Sequence, residues 1–204
     1  MKVDPPYRIA SERLLLRCWE PEDALLLKEA VDESLDELLP WMPWAAEEPQ
    51  PLSAKVGLLR GFRGRFDLGQ EFVYGIFAPD ESAVLGGTGL HTRRGEDAFE
   101  IGYWIRTSHA GRGLATESSA VLTRVAFELC GVDRVDIRVD PANTASARIP
   151  RKLGFREEAT LRRRLGYPEP RDVIVFSLFA DELTGTPSAE ARFEAWDAAG
   201  ARVM

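Results

Sequence analysis

The chain has 204 residues, of which 45% are hydrophobic and 29% are charged, and its formal net charge is −7. This length suffices for one domain with a full core, and the negative charge argues against nucleic acid as a partner and favours cationic substrates such as amines. No apolar run reaches the roughly 18 residues that a membrane helix needs, and residues 1–6 lack the apolar segment of a signal peptide.

The first third of the chain predicts one strand and two helices. The apolar run Leu14–Leu16 marks a strand over Tyr7–Trp19. Pro21 and the acids after it predict the start of a helix that runs to about Ser34. Ser53 is the predicted N-cap of a second helix. The loop between the two helices is rich in aromatic residues and contains Trp41, Met42 and Trp44.

The hydrophobic period then changes to two, which is typical of strands. Three such runs predict an antiparallel meander, namely Glu71–Ala78, Ala83–His91 and Ala98–Arg106. A helix over Glu117–Leu129 is predicted to end at Gly131, and the alternation after it predicts a strand over Asp133–Val139. The strand, helix and strand between residues 99 and 139 form a crossover unit, so its two strands should be parallel.

The last third predicts a short helix ending near Leu153 and a strand pair, Phe155–Arg164 with Val173–Leu183, joined through residues 166–170. A terminal helix is predicted over Ser188–Ala199, with Phe193 and Trp196 packing onto the body or onto a second copy. The element order predicts one mixed α/β domain.

A glycine-containing stretch, Ser108–Glu117, lies between a predicted strand and a predicted helix. Such a bend directs backbone N–H groups toward an anion, most often a phosphate, at the positive end of the helix dipole. Gly111 and Gly113 allow close approach of a ligand, Arg112 adds a cation, and Thr116 is a candidate helix cap. The stretch matches neither a Walker A loop nor a dinucleotide fingerprint, and an ordinary strand-to-helix turn stays an alternative.

The cysteines and histidines are few. Cys18 and Cys130 are far apart, which predicts two buried, reduced thiols in a cytoplasmic protein. His91 and His109 are the only histidines. Without a Cys/His cluster we expect no zinc site and no metal cofactor.

Several motifs occur in an order that resembles a known family. These are 13–17 (RLLLR), 85–90 (LGGTGL), 100–105 (EIGYWI) followed by 111–117 (GRGLATE), and 143–146 (NTAS) with 152–155 (KLGF). Together they resemble the GCN5-related N-acetyltransferases (GNATs), and within them the group that acetylates ribosomal-protein N-termini. The resemblance covers about residues 7–183. It leaves 184–204 as a C-terminal extension of a 1–183 acetyltransferase domain.

The resemblance implies a single, mostly antiparallel sheet with one splayed parallel strand pair, flanked by helices, and acetyl-CoA as co-substrate. The pyrophosphate would lie on the amides of residues 111–116, with the pantetheine along the splayed strand edges. The implied coenzyme-binding residues are Ile105, Arg106, Gly111, Arg112, Gly113, Leu114, Ala115, Thr116, Asn143 and Ser146. The chain departs from the family pattern at two positions. Ala110 replaces a usual Gln or Arg, and Pro150 occupies the position where many members have a Tyr that protonates the leaving thiolate.

Direct acetyl transfer needs a proton acceptor for the amine, a donor to the oxyanion and a proton for the thiolate. Glu100 is the candidate for receiving the amine's proton, directly or through water; the alternative is a solvent-facing or ion-paired carboxylate. Ser146 is the candidate contact to the sulfur or else a helix-capping serine, and the N–H near Ile105 is the candidate oxyanion donor. Asn143 is expected both to cap the helix and to bind pantetheine. Tyr103 is expected in the core.

The acceptor pocket is assigned to aromatic residues. The resemblance places Trp41 and Trp44 in the pocket wall, with Trp104 nearby; alternatively these residues cover the core. The resemblance implies a primary amine as acceptor, which would be a protein N-terminus, a small metabolite or an antibiotic. A non-catalytic acyl-CoA-binding module and another phosphate-ligand enzyme remain alternatives, and the protein is expected to be a monomer or homodimer.

Overall fold

The computed structural model describes residues 4–95, 97–166 and 169–204. The positions outside these ranges include the first three residues of the N-terminus, Glu96 in the predicted 92–97 turn, and Tyr167 and Pro168 in the segment that joins the last strand pair. Within the described residues, no helix combines the length and apolar composition that crossing a bilayer requires.

Nine strands and four α-helices make up the described part of the chain. The strands are β1 (Arg8–Ala10), β2 (Leu15–Cys18), β3 (Phe72–Phe77), β4 (Val84–His91), β5 (Ala98–Ile105), β6 (Arg134–Val139), β7 (Arg156–Leu165), β8 (Arg171–Phe179) and β9 (Glu194–Trp196). The helices are α1 (Ala24–Leu38), α2 (Leu52–Asp67), α3 (Leu114–Arg124, continued by a π turn over Val125–Leu129) and α4 (Thr144–Lys152). Short 3₁₀ turns cover Pro21–Asp23, Pro43–Glu47, Thr107–His109, Ala180–Glu182 and Pro187–Glu190.

The strands form one mixed sheet in the order β7-β8-β6-β5-β4-β3-β2-β1-β9. The predicted meander is confirmed, since β3, β4 and β5 pair antiparallel. The predicted parallel crossover is confirmed as well, because β5 and β6 pair in parallel. The fold is therefore the mixed α/β sheet with one parallel pair that the sequence predicts.

Two clusters of buried side chains cover the sheet. Adjacent residues of β2 belong to different clusters, Leu15 to one and Leu16 to the other. Because successive side chains of a strand point to opposite faces, the clusters lie on opposite sides of the sheet. One cluster buries the apolar stripe of α3, including Val121 and Val125, and the other buries α1 against α2.

The predicted first strand, Tyr7–Trp19, is wrong as a single element. It is a hairpin in which Arg8–Ala10 pairs antiparallel with Leu15–Cys18, and the Ser11 N–H donates to the Leu14 carbonyl at 2.9 Å. The charged residues Glu12 and Arg13 form the turn. The interruption in the apolar pattern before Leu14 is therefore a turn rather than a solvent-facing strand position.

The predicted terminal helix, Ser188–Ala199, is also wrong. Pro187–Glu190 forms a 3₁₀ turn, and Glu194–Trp196 is a strand that pairs with Arg8–Ala10. Ala195 is fully buried between exposed and half-buried neighbours, which is a period of two. The edge of β1 presents unpaired backbone N–H and C=O groups. A strand can form hydrogen bonds with these groups and a helix cannot, so Glu194–Trp196 is a strand.

Several boundaries differ from the predicted ones. The first helix continues to Leu38, the second begins after Pro51 rather than at a Ser53 cap, and α3 begins at Leu114. Gly131 and Gly154 follow their helices with φ of 65° and 91°, in the left-handed conformation that ends a helix at glycine.

Candidate active site

The parallel strands β5 and β6 separate part of the way along their length. Their pairing covers only Ala98–Ile101 against Arg134–Ile137, although β5 continues to Ile105 and β6 to Val139. The Arg106 N–H donates to the Leu85 carbonyl on β4 at 2.8 Å. Because successive N–H groups of an extended strand point to opposite sides, the Ile105 N–H faces the opening.

The glycine loop follows the separated end of β5 through the 3₁₀ turn Thr107–His109. Gly111 and Gly113 have φ of 74° and 81°. The flanking amides are used within the protein, since Ala110 donates to Thr107 and Glu117 donates to Gly113. In the described part of the chain, the amides of residues 111–116 have no protein acceptor. Six adjacent unpaired donors at the start of α3 are the arrangement that an anion site needs, and anion binding by this loop stays a prediction.

Arg13 and Glu117 hold this loop in place. The Arg13 guanidinium donates to the Arg112 carbonyl at 2.9 Å and to the Glu117 carboxylate at 2.7 Å. Ser11 donates to the second oxygen of Glu117 at 2.8 Å. The turn between β1 and β2 thus anchors the first turn of α3. Sequence reasoning did not identify this contact, because the two partners are 104 positions apart.

The structure corrects the role predicted for Thr116, while the cation role predicted for Arg112 stays a prediction. Thr116 is not the helix cap, because α3 begins at Leu114 with Gly113 at the N-cap position. Thr116 lies instead in the first turn. The Arg112 guanidinium donates to the Ser108 carbonyl at 3.0 Å, so it is turned back onto its own loop.

Both the backbone N–H and the guanidinium of Arg106 have partners within the protein. Its amide is bonded to Leu85, and its guanidinium is paired with Glu33 on α1 at 2.5 Å. Hydrogen bonds from Arg106 and Ser108 lower the pKa of Glu33 to about 2. Arg106 therefore ties the end of β5 to α1, and coenzyme binding by this residue stays a prediction.

A cavity of about 820 Å³ extends from the opening toward the loop between α1 and α2. The predicted acceptor residues Trp41, Trp44 and Trp104 all line it, together with Met42. Trp44 and Trp104 meet edge to face, with ring centroids 6.0 Å apart. The structure thus brings the three tryptophans together at one cavity, and their role in binding an acceptor stays a prediction.

Hydroxyl groups meet where the opening reaches α4. Asn143 accepts the Ser146 N–H at 3.0 Å, which confirms its predicted capping role. The Ser146 hydroxyl lies 3.1 Å from that of Tyr103. Burial raises the pKa of Tyr103 to about 12, so its phenol is neutral. Tyr103, which the sequence predicts in the core, packs against the core but is half-buried and lines the cavity. Pro150 is buried and offers no hydrogen-bond donor.

Glu100 is held by two arginines. Its side chain is 6% exposed, and one oxygen accepts from Arg93 at 2.5 Å while the other accepts from Arg94 at 2.6 Å. Burial raises the pKa of this carboxyl, but the two guanidinium groups outweigh burial and leave the pKa below its ordinary value. This is the ion-paired alternative described above. Glu100 as proton acceptor stays a prediction, since a carboxylate with a lowered pKa is a weak base.

Comparisons with known proteins show which sequences and folds this chain is similar to. A family model described as an acetyltransferase (GNAT) domain matches residues 13–156. The [ribosomal protein uS5]-alanine N-acetyltransferase of Escherichia coli (strain K12) is 28% identical over 159 residues, covering 76% of this chain and 80% of that protein. A putative ribosomal N-acetyltransferase of Bacillus subtilis (strain 168) is 26% identical over 177 residues, covering 86% and 96%. Mycobacterium smegmatis RimJ in complex with CoA-disulfide superposes with a TM-score of 0.79 at 24% identity, covering 94% and 97%.

Proposed function

The chain belongs to the GNAT acetyltransferase family and is an acyl-CoA-dependent N-acetyltransferase, and we propose that its acceptor is the N-terminal amine of a protein. The observation that carries this function is the run of amides over 111–116, which have no acceptor among the described residues, shortly after the strand β5 that borders a tryptophan-lined cavity. The acceptor class is supported by the names of two relatives, a [ribosomal protein uS5]-alanine N-acetyltransferase of E. coli and a putative ribosomal N-acetyltransferase of B. subtilis.

The coenzyme site combines the loop with the opened strand pair. The amides of Gly111, Arg112, Gly113, Leu114, Ala115 and Thr116 bind the pyrophosphate in this proposal. The main chain near Ile105 and the side-chain Nδ2 of Asn143 hold the pantetheine, much as a sheet edge holds an added strand. Arg13 supports the loop from behind through the Arg112 carbonyl. Acetyl-CoA supplies an activated acetyl thioester at the inner end of this site.

The reacting groups lie at that inner end. The Ile105 N–H faces the opening and is placed to stabilise the oxyanion of the tetrahedral intermediate. The Ser146 hydroxyl, in contact with Tyr103 at 3.1 Å, delivers a proton to the leaving sulfur. This pair takes the role of general acid, which Pro150 cannot take because a prolyl ring has no acidic proton.

The acceptor enters over the aromatic wall. Trp41, Trp44 and Trp104 cover the apolar part of the acceptor, and their ring faces attract its ammonium group. The net charge of −7 favours approach of a cationic protein. The two free cysteines are buried, which suits a reducing compartment such as the cytoplasm.

A small-molecule amine is the second candidate acceptor. Arg171 crosses one side of the cavity: it pairs with Asp140 at 2.6 Å, donates to the Pro40 carbonyl at 2.9 Å and lies over the Trp41 ring. This bridge joins β8 to the loop after α1 along the cavity wall. A cavity bordered in this way favours a compact acceptor over a folded protein surface.

A thiol-release assay separates these candidates. Purified protein is mixed with acetyl-CoA and either peptides with a free α-amine, the same peptides N-acetylated, or small primary amines. We expect CoA release only with free α-amine peptides, together with a peptide mass increase of one acetyl group. Turnover confined to small amines would establish the second candidate. Acetyl-CoA binding by calorimetry without turnover on any amine would make the protein a binding module.

A further inference from the structure

His91 lies inside the cavity, at the end of β4, and is paired with Glu71. Its Nδ1 is 2.7 Å from the Oε1 of Glu71, and its side chain is 18% exposed. An ionised carboxylate only accepts hydrogen bonds, so Nδ1 carries the proton and Nε2 keeps its lone pair. Glu71 also accepts from Arg65 at 3.2 Å, which keeps the carboxylate ionised. The tautomer of His91 is thereby fixed with its basic nitrogen away from Glu71.

Glycines make room for this ring on the cavity floor. Gly89 of β4 and Gly102 of β5 lie opposite each other. A Cβ added to Gly102 would be 3.2 Å from His91 Nε2, and one added to Gly89 would be 3.3 Å from it. The imidazole therefore lies across this glycine pair.

The ring lies on the same sheet face as Trp104. Gly102 and Trp104 are two residues apart on β5, so their side-chain positions share one face and are about 7 Å apart along the strand. A ligand amine beside Trp104 is thus within reach of Nε2 directly or through one water.

Burial favours the neutral form of His91. Burial is the largest effect and lowers the pKa of His91, and Arg93 lowers it further, while Glu71 and Glu100 raise it. The net pKa is below 6.5. A neutral imidazole can accept a proton, whereas the Glu100 carboxylate is already held by Arg93 and Arg94.

We infer that His91 Nε2 is the catalytic proton acceptor for the ammonium group of the acceptor, and that Glu71 is its positioning residue. This inference rests on the proposed acetyl transfer. One N–H bond of the ammonium breaks and its proton passes to Nε2, which gives an imidazolium paired with Glu71. The free amine attacks the thioester carbon, the C–N bond forms and the C–S bond breaks. A second proton from nitrogen ends on the sulfur through Ser146, and His91 releases the first to water.

This assignment predicts a particular pH dependence of kcat/KM. The wild-type enzyme uses a neutral His91 and an ammonium acceptor, so kcat/KM is flat between the pKa of His91 and that of the acceptor, about 8 for an α-amine. A His91→Gln variant can use only amine that is already deprotonated in solution. Its kcat/KM therefore rises tenfold per pH unit up to about pH 8.

The experiment compares the wild type, His91→Gln and His109→Gln by thiol release from pH 6 to 9. For His91→Gln we expect kcat about 10²- to 10⁴-fold lower at pH 7, an acetyl-CoA Kd within twofold by calorimetry, and partial recovery of activity with added imidazole. His109→Gln, which removes the other histidine, keeps the flat wild-type profile. Glu71→Gln moves the acidic limb of the profile to lower pH, because the group that raises the His91 pKa is lost.

A His91→Gln variant with the wild-type rate and a flat profile would overturn the inference. A Glu100→Gln variant that instead acquires the rising profile would assign the proton to Glu100. If the wild type releases no thiol with any amine, the proposed function fails. This outcome is separate from failure of the His91 inference, because it is seen before any variant is compared.

Discussion

The hydroxyl oxygens of Tyr103 and Ser146 lie 3.1 Å apart across the opening between β5 and β6. Tyr103 comes from the strand and Ser146 from the first turn of α4. Tyr103 also donates to the Ser146 carbonyl at 3.2 Å. The contact therefore fixes α4 relative to the strand and sets two hydroxyl groups at the inner end of the coenzyme site.

Ser146→Ala and Tyr103→Phe should each slow the transfer step. Each removes one hydroxyl of the pair, so we expect kcat to fall about 10²-fold with little change in the acetyl-CoA Kd. The double variant should be no slower than the slower single variant, since both groups serve one proton transfer. Steady-state thiol release measures kcat, and calorimetry measures Kd. Fully additive losses in the double variant would contradict a shared role.

Gly113→Val should abolish acetyl-CoA binding. Gly113 has φ of 81°, and valine in this conformation costs about 1–2 kcal/mol. Its Cβ would lie 3.6 Å from the Arg13 guanidinium that holds the loop, so we expect the loop amides to be displaced. Gly185→Val is the matched control, since Gly185 has φ of 84° with open space around it. Calorimetry with acetyl-CoA should detect binding only in the control. Normal binding by Gly113→Val would refute the loop assignment.

Lys55→Met should destabilise the protein strongly. Lys55 and Glu48 form an ion pair whose side chains are 2% and 4% exposed, and it ties α2 to the turn that carries Trp44. Removing one partner leaves a buried charge, which costs about 3–5 kcal/mol. Urea unfolding followed by circular dichroism measures this loss. The double variant Lys55→Met/Glu48→Leu removes both charges and should recover most of it; equal losses in both variants would show that packing, rather than charge, is responsible.

Glu100→Gln should change how the free energy of unfolding depends on pH. Burial alone would raise the pKa of Glu100, but Arg93 and Arg94 hold it below 4.5. A carboxyl with a lowered folded-state pKa contributes stability above its unfolded-state value, and this contribution is lost as pH falls from about 4.5 through the folded-state pKa. The variant should lose about 2 kcal/mol at pH 7 and show a shallower decline in acid.

The measurement for this prediction is the free energy of unfolding in urea from pH 3 to 7. The control is Glu157→Gln, which breaks an exposed ion pair with Arg151 and should change stability by less than about 1 kcal/mol. An acid profile of Glu100→Gln parallel to that of the wild type would show that the two arginines do not depress this carboxyl.

Most elements were predictable because they follow from local patterns. The period of two over residues 84–105 gave the two strands β4 and β5, and the crossover rule gave the parallel pairing of β5 with β6. The glycine loop was recognisable because its conformation depends on Gly111 and Gly113 themselves, whose φ values are positive. The boundaries of short elements were less predictable, since Glu194–Trp196 becomes a strand only through pairing with β1.

The sequence by itself thus determined the antiparallel meander, the parallel crossover, the glycine bend before α3 and the aromatic composition of the loop between α1 and α2, because each depends on residues within one continuous segment of the chain. Only the tertiary structure decided which side chains meet. Arg13 reaches Glu117, Glu71 orients His91, and the Tyr103 hydroxyl contacts Ser146, across 104, 20 and 43 positions. Such contacts depend on strand register and on the face each side chain occupies, which local patterns do not specify.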